Sequence, residues 1–478
     1  MSAKERIITI KNKYTSRYSP LLRDLKEAIA GTDQDFTEGR LGRAIFLLSV
    51  PMVLEMVMES MFAVADIFFV SKLGPDAIAT VGITESMITI VYAVGFGLAM
   101  STTSLVSRRI GEKNPAGAAV AAVQAIYTGL VVSLLIAVPG ILWAKDLLHL
   151  MGANHAIVDG MSGYTRLMLG GNVVIMLLFI INAVFRSAGD AAVAMRILWF
   201  ANLINMVLDP MLIFGLGPIP ALGVTGAAIS TTTGRGLAVC YQLYLLLYGK
   251  KRIRITRKEL AFRPAIMWKL VKISFGGIAQ NIIATSSWIG LVRIISMFGS
   301  TVVAGYTIAI RIVVFALLPS WGLSNAASTL VGQNLGAGKP ERAERSVWFA
   351  ARVNMIMLAM IGVVLMVFSE FFIRLFIHET GVVEVGVNSL RIISAGFVAY
   401  GAGMVIVNAF NGAGDTMTPA RINVFCFWLF EIPLAYILSI LAGMEQTGVF
   451  TAIVIAETTM TVVAWRMFRK GSWKLKQV

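Results

Sequence analysis

The chain has 478 residues, of which 57% are hydrophobic and only 14% are charged, and its mean hydropathy is +0.78. Soluble domains are about 45–50% apolar and about 25% charged, so this composition excludes an ordinary soluble protein and indicates a polytopic membrane protein. The formal net charge of +15 does not indicate nucleic-acid binding, because the basic residues lie between apolar segments rather than on one soluble region. Membrane orientation explains these residues better.

Residues 1–40 form a polar segment of mixed charge, which lacks the apolar core of a cleaved signal peptide. We expect this segment to be a cytoplasmic N-terminal tail. Within it, residues 19–30 (SPLLRDLKEAIA) have the pattern of a short amphipathic helix that lies on the membrane surface. A solvated helix is the alternative that this pattern leaves open.

Twelve apolar segments follow, each long enough for the roughly 20 residues that cross a bilayer. The first six lie near residues 42–70, 77–105, 117–143, 158–185, 191–214 and 222–248. The second six lie near residues 266–297, 303–330, 344–370, 385–410, 418–441 and 447–468. The sequence therefore predicts an all-α polytopic membrane protein with twelve transmembrane helices.

An even number of spans puts both termini on one side of the membrane, and the basic residues indicate which side that is. One set of connections is rich in Lys and Arg, above all residues 249–265 between the sixth and seventh spans. The opposite set holds little beyond Lys72, Lys145 and Arg374. We expect a protein of the inner (plasma) membrane of the cell, with both termini in the cytoplasm.

The two halves of the chain repeat each other. Residues 185–190 read FRSAGD and residues 410–415 read FNGAGD, so that Asp190 and Asp415 are separated by 415 − 190 = 225 positions. Such a repeat predicts two six-helix lobes related by a pseudo-two-fold axis along the membrane normal. The expected units are an N-lobe over residues 41–248, a basic cytoplasmic linker over 249–265, a C-lobe over 266–468 and a cytoplasmic tail over 469–478.

One apolar stretch, residues 199–215 (WFANLINMVLDPMLIFG), carries conspicuous polar residues. Asn202, Asn205 and Asp209 are spaced i, i+3 and i+7, which puts them on one face of a helix. An ionised Asp in the middle of a bilayer costs about 2.5–3.5 kcal/mol on insertion scales, so it requires a partner or water. Pro210 provides no amide proton and leaves a backbone carbonyl free for a ligand. The stretch is either a polar stripe that holds helices together or a cation or proton site.

Several sequence features together resemble the multidrug and toxic compound extrusion (MATE) family over roughly residues 40–475. They are the paired FxxAGD sequences, SxP at Ser49–Pro51, NxxxDP at Asn205–Pro210, VADIFFVSKLG in the first span and the basic tail GSWKLK. The resemblance implies a twelve-helix antiporter with a V-shaped cleft between its two lobes. Members of the family export drugs or metabolites against a sodium or proton gradient.

The acids within the apolar segments are unevenly distributed. Glu55, Glu59 and Asp66 lie in the first span, Glu85 in the second and Asp209 in the fifth, whereas the seventh and tenth spans contain no Asp or Glu. At 100° per residue, the three acids of the first span fall within about 40° of one another. Some branches of the family carry coupling carboxylates in the seventh and tenth helices. In lacking these carboxylates, the sequence resembles the DinF-type branch of the family, whose coupling site lies in the N-lobe.

Residue by residue, the resemblance maps the coupling site of that branch onto Asp66, Asn205 and Asp209. After a short insertion around residues 218–220 it also maps onto Thr231. Asp66, Asp209 and Thr231 lie roughly 10–14 Å below the outer surface at 1.5 Å per residue, so they can share one site. Two neighbouring carboxylates in a low dielectric cannot cheaply both stay charged, and a shared proton or a bound cation would neutralise them. We expect H⁺ or Na⁺ as the coupling ion, and no other cofactor or metal.

Other polar residues of the spans are candidates for the cleft and for substrate contact. They are Glu55, Glu59, Glu85, Gln280, Asn281 and Glu431. For Glu431, pairing with an arginine is the alternative. Arg293 and Arg311 have the pattern of structural partners for carboxylates or carbonyls.

The leading hypothesis is a secondary active exporter that exchanges organic cations or amphiphilic compounds for H⁺ or Na⁺ by alternating access of its lobes. A lipid-linked oligosaccharide flippase of similar architecture is the first rival, although its cleft should be strongly cationic to bind a pyrophosphate. An intramembrane enzyme is less favoured, since no HExxH and no nucleophile–base set occurs. We expect a monomer whose partners are small molecules and membrane lipid, not nucleic acid.

Overall fold

The computed structural model describes residues 22–32, 34–249 and 252–478, and these residues are almost entirely helical, without a β-strand among them. The predicted all-α fold is confirmed. The first three residues of the predicted amphipathic helix, 19–21, and the linker residues Lys250 and Lys251 lie outside the described residues.

Residues 22–30 form helix α1. The helices of the N-lobe are α2 (Leu41–Ser71), α3 (Pro75–Gly111), α4 (Pro115–Leu142), α5 (Ala144–Leu150), α6 (His155–Gly160), α7 (Ser162–Gly170), α8 (Asn172–Ala188), α9 (Ala191–Phe214) and α10 (Gly223–Tyr248).

The helices of the C-lobe begin with α11 (Pro264–Ile295), α12 (Ser300–Gly336), α13 (Pro340–Val367), α14 (Ser369–Arg374), α15 (Thr380–Ala395) and α16 (Phe397–Gly412). Helices α17 (Met417–Asn423) and α18 (Ile432–Tyr436) alternate with the π-helical turns Val424–Glu431 and Ile437–Leu441 in one continuous span, and α19 (Glu445–Arg469) follows. A short 3₁₀ turn at Ser296–Phe298 follows α11, and another at Ser472–Leu475 lies near the C-terminus.

Each of the twelve predicted segments coincides with helix, but two of them depart from a simple apolar span. Within the described chain, ten helical segments are long and apolar enough to cross a membrane, and an eleventh results if α15 and α16 are joined across their 56° bend. The twelfth segment is α10, whose 26 residues extend about 39 Å at 1.5 Å per residue. The Ser and Thr residues of its first half and Arg235 are polar and therefore lower its hydropathy. Ser230, Thr231 and Arg235 are buried inside the lobe.

The internal repeat predicted from the sequence appears in the helix bounds. Helices α3 and α12 each contain 37 residues, and a shift of 225 superimposes Pro75 on Ser300 and Gly111 on Gly336. Helices α4 and α13 each contain 28 residues and obey the same shift. Equal lengths at one constant offset follow from two copies of the same folding unit.

Helix α1 is oriented with its acidic face toward the protein. Arg43 in the first turn of α2 binds Asp24 at 3.1 Å and Glu27 at 2.6 Å. At 100° per residue the apolar residues lie on the opposite face, and they are exposed: Leu22, Leu25 and Ile29. The helix is therefore amphipathic, with its apolar face directed away from the protein.

The two lobes meet on the side that carries the ends of the chain, which we call the terminal side. Helices α3 and α11 cross there in backbone contact, since a Cβ on Gly277 would lie only 2.9 Å from Gly97 Cα. Farther along the same side, Gln333 Nε2 donates to the Ser187 carbonyl oxygen across the lobes at 2.8 Å. Toward the opposite side, α2 and α11 carry exposed apolar side chains such as Ile67 and Ile289. The lobes are thus closed on the terminal side.

Residues 34–39 connect the two lobes on this side. Arg252 of the linker donates to the Gln34 carbonyl oxygen at 2.6 Å. Arg342 of α13 donates to the Glu38 carbonyl oxygen at 2.7 Å. Because the linker also packs on the N-lobe, these bonds tie the two lobes together through backbone acceptors.

We predict that Gly111→Ala weakens the closed interface. A Cβ at this position would overlap the carbonyl oxygen of Gln333 at the end of α12, so the lobes must separate locally. In a Cys240→Ser background, a cysteine replacing Ser187 should react with a thiol reagent roughly tenfold faster when Ala occupies position 111. The matched control is Gly82→Ala in the same helix, where a Cβ meets no atom within 4 Å. Equal reaction rates in the two variants would contradict the prediction.

Candidate functional site

A polar cluster links α9 and α10 inside the N-lobe. With the amide oriented so that its nitrogen faces Asp209, Asn205 Nδ2 donates to Asp209 Oδ2 at 2.8 Å. In the same orientation Asn205 Oδ1 accepts from Ser230 Oγ at 2.9 Å and from Thr231 Oγ1 at 3.1 Å. Asn205, Asp209 and Ser230 are buried, and Thr231 is 7% exposed. Three of the four predicted coupling residues are therefore in one hydrogen-bonded cluster.

Asp66 approaches this cluster from α2. Its carboxylate and that of Asp209 are close enough to interact electrostatically. In the described chain, Asp66 Oδ1 and Asp209 Oδ1 are both buried and neither has a hydrogen-bond partner. Buried carboxylate oxygens without partners are costly, so both acids fit a role in which a proton or a cation neutralises them. The neutral oxygen of Thr231 adds a ligand suited to a hard cation such as Na⁺.

Glu55, on the same face of α2, lies in a structural ion pair rather than with Asp66. Only 2% of its side chain is exposed, and its Oε1 accepts from Arg186 Nη1 at 3.2 Å. Asn182 Nδ2 donates to the same oxygen at 3.2 Å, and Gln242 Nε2 donates in turn to Asn182 Oδ1 at 2.6 Å. This arrangement joins α2, α8 and α10, and it favours a role for Glu55 in holding the lobe together.

Glu59 is located between Glu55 and Asp66 and pairs with Arg235 of α10. Arg235 Nη2 donates to Glu59 Oε1 at 3.3 Å, while Asn202 Nδ2 donates to Glu59 Oε2 at 3.3 Å. Arg235 Nη1 also lies 3.5 Å from the Tyr92 hydroxyl of α3. The pair therefore connects four helices of the N-lobe next to Asp66.

The remaining candidates of the cleft differ in their surroundings. Glu85 of α3 is exposed and interacts electrostatically with Arg311 of α12, which belongs to the other lobe. These two residues belong to helices that the 225-residue repeat makes equivalent, and each lies near the eleventh residue of its helix. Glu85 and Arg311 thus bring opposite charges to the two lobes at a similar depth.

The C-lobe candidates have partners within their own lobe. Gln280 is buried, and its Nε2 donates to Asn411 Oδ1 at 3.0 Å and to the Thr416 carbonyl oxygen at 2.8 Å. Asn281 Nδ2 donates to the carbonyl oxygen four residues earlier at 2.9 Å. Glu431 is buried and accepts from Ser287 Oγ at 3.0 Å. For Glu431, the arginine partner considered from the sequence is replaced by this serine.

Arg235 is the site residue that sequence reasoning did not single out. It lies four residues after Thr231, on the same face of α10. A lone arginine within a predicted span is a signal of function by itself, because a charge at membrane depth is expensive. The sequence pattern singles out Arg293 and Arg311 in other spans, but not Arg235.

The chain matches the MatE family model over residues 51–211 and 278–437, which is more than half of its length. It is 25% identical over 430 residues to a FAD transporter of Shewanella oneidensis, covering 90% of this chain and 95% of that protein. It is 23% identical to a probable multidrug resistance protein of Bacillus subtilis, covering 91% of this chain and 95% of that protein.

A solved structure described as the outward-facing conformation of a multidrug resistance MATE family transporter is similar to the whole membrane region. Its TM-score is 0.86 at 25% identity, and the match covers 92% of this chain and 98% of that one. This likeness agrees with an arrangement of two lobes that meet on one side of the membrane.

We predict that Arg186→Leu strongly destabilises the protein, because it leaves the Glu55 carboxylate buried without its cation. Breaking a buried pair costs about 3–5 kcal/mol, whereas replacing both partners by apolar residues is often neutral. The denaturation midpoint in detergent should therefore fall for Arg186→Leu and recover in the double variant Glu55→Leu/Arg186→Leu. The control is Arg374→Leu, which breaks the exposed pair with Glu370 and should leave the midpoint unchanged. An unchanged midpoint in Arg186→Leu would refute a structural role for the pair.

Proposed function

Because the chain belongs to the MatE family of multidrug efflux transporters, we propose that it is a secondary active exporter that exchanges small molecules for H⁺ or Na⁺. One observation carries the proposal: Asp66 and Asp209 each bury a carboxylate oxygen that has no partner in the described chain. Asn205 and Thr231 complete the proposed ion site beside them. An inward ion gradient would then drive outward transport of the substrate.

The chemistry of the site suits either coupling ion. A proton would neutralise one acid and let it donate to the neighbouring carboxylate. Na⁺ would neutralise the pair and take oxygens from Asp66, Asp209 and Thr231. Ion binding moves the lobes only if the ion has a higher affinity for one conformation than for the other. Helix α2 is suited to transmit this preference, because it carries Asp66 and contacts the C-lobe at Gly322.

The proposed substrates are amphiphilic or cationic compounds that bind between the lobes. Support comes from Glu85, an acid of the N-lobe whose side chain is exposed. Exposed apolar residues of α2 and α11 would contact the apolar part of such compounds. The relatives do not agree on one substrate, since one is named a FAD transporter and another a probable multidrug resistance protein.

The proposed orientation puts the terminal side in the cytoplasm of the cell, in its inner (plasma) membrane. The basic residues of the linker support this orientation. Helix α1 would then lie in the inner leaflet, its exposed apolar face in contact with lipid and its acids bound to Arg43. The protein would act as a monomer.

We predict that Asp66→Asn and Asp209→Asn each lower gradient-driven efflux by roughly tenfold or more, since coupling free energies between sites are about 1–3 kcal/mol. The assay is efflux of ethidium from proteoliposomes under an imposed Na⁺ gradient at constant pH, or a pH gradient without Na⁺. Both variants should elute as folded protein. Glu431→Gln provides a comparison in the C-lobe, and its effect should be far smaller. Normal efflux in both Asp variants would place the coupling site elsewhere.

We also predict that a cysteine replacing Arg257 reacts with an impermeant thiol reagent only from the cytoplasm. A cysteine replacing His378 should react only from outside, because residue 378 and residue 257 lie in connections at opposite ends of the spans. Both native side chains are exposed, and Cys240→Ser removes the exposed native thiol. Labelling of intact cells and of inverted vesicles measures the two rates. The reverse pattern would overturn the proposed orientation.

A further inference from the structure

Arg235 is a permanently charged group buried beside the proposed ion site. Its side chain is only 7% exposed, and its guanidinium carbon lies 5.5 Å from the centre of the Phe62 ring. A guanidinium does not lose its proton in proteins, so its charge must be balanced by a carboxylate. In this structure the balancing group is Glu59, with Nη2 and Oε1 3.3 Å apart.

A second carboxylate lies on the face of α2 that the guanidinium contacts. Glu59, Phe62 and Asp66 are spaced i, i+3 and i+7, so they occupy one face of α2. Arg235 contacts the first two of these residues, and Asp66 is one helical turn beyond Phe62. The guanidinium and the Asp66 carboxylate already interact electrostatically.

The position of Arg235 on α10 matches this geometry. It follows Thr231 by four residues, about 6 Å along the helix axis, on the same face. Helices α2 and α10 run in opposite directions, since α2 begins and α10 ends on the terminal side. Glu59 pairs directly with Arg235, and Asp66 lies about 10 Å farther along α2, in the direction of Thr231 and the proposed ion site.

Glu59 is itself held in place from a third helix. Its Oε2 accepts from Asn202 Nδ2 of α9 at 3.3 Å, which leaves Oε1 for Arg235. Asn202 lies on the same face of α9 as Asn205 and Asp209. The side chain that holds Arg235 is thus fixed by the helix that supplies the other coupling acid.

We propose that Glu59 anchors Arg235 and thereby keeps the guanidinium from pairing with Asp66. This inference rests on the proposed coupling role of Asp66. With Glu59 charged, the Asp66 carboxylate stays available to H⁺ or Na⁺. Without that anchor, Arg235 pairs with Asp66 through charge-assisted hydrogen bonds and occupies the site in place of the coupling ion.

A tethered guanidinium is a strong competitor because it cannot diffuse away. A group on a short tether has an effective concentration in the millimolar range, and it is present in every molecule. Glu59 is therefore a positioning residue: it acts on coupling through Arg235 and need not touch the ion. Removal of Arg235 should make Glu59 dispensable, which no direct role of Glu59 would allow.

The experiment compares Glu59→Gln with the double variant Glu59→Gln/Arg235→Gln in the ethidium efflux assay. We expect Glu59→Gln to lower gradient-driven efflux by roughly tenfold or more, the range of a typical coupling free energy. The double variant should recover most of the lost efflux, because the competing cation has gone. Glu370→Gln, a neutralised acid of an exposed pair, is the matched control and should transport normally. Elution as folded protein is required of all variants.

The outcomes separate this inference from the proposed function. Recovery in the double variant supports the anchoring role. Normal efflux in Glu59→Gln overturns it, and so does a double variant that is folded yet as inactive as Glu59→Gln. The proposed coupling site is judged independently by Asp66→Asn and Asp209→Asn, which leave the Glu59–Arg235 pair intact. If those two variants transport normally, the coupling site itself is misassigned.

Discussion

The cost of a charge in a low-dielectric interior governs the arrangement of the N-lobe. Three of its carboxylates lie along one face of α2, and the structure treats them differently. Glu55 receives a guanidinium and an amide, and Glu59 receives a guanidinium and a second amide. Asp66 and Asp209 form no salt bridge in the described part of the chain, and each keeps a buried oxygen without a hydrogen-bond partner. The protein therefore neutralises Glu55 and Glu59 with its own arginines, and the proposed function assigns Asp66 and Asp209 to a coupling ion.

The contact between the lobes depends on a different constraint, the close approach of backbones. Gly97 and Gly277 cross almost in van der Waals contact, and Gly111 meets the carbonyl of Gln333. Glycine permits such approaches because it has no Cβ. An interface of this kind has few long side chains to reorder, which suits the proposed separation of the lobes as rigid units. The hydrogen bonds of residues 34–39 reinforce it from outside the spans.

The sequence predicted the parts of this structure that repeat or that follow from hydropathy. The separation of Asp190 and Asp415 anticipated the matching bounds of α3 and α12. The spacing of Asn205 and Asp209 anticipated their shared face. The hydrogen-bond and ion-pair partners of a side chain on other helices could not be predicted from such spacing, because those helices are distant in the chain. Thus Gln280, predicted as a cleft residue, binds the loop after α16, and Arg235 was not singled out at all.

Helix α2 is subject both to the cost of buried charge and to the close backbone approach between the lobes. At Met52 and Val53, just after Pro51, it packs against Gly322 of the C-lobe so closely that a Cβ there would lie 2.7 Å from the Val53 nitrogen. Two turns farther it carries Glu59, and two turns beyond that Asp66. A change of charge at Asp66 therefore acts on the helix that forms the lobe interface about 20 Å away. Proline within α2 removes one backbone hydrogen bond near this contact, so that a bend there is less costly than elsewhere. The proposed ion site, although enclosed in one lobe, would in this way influence how that lobe meets the other.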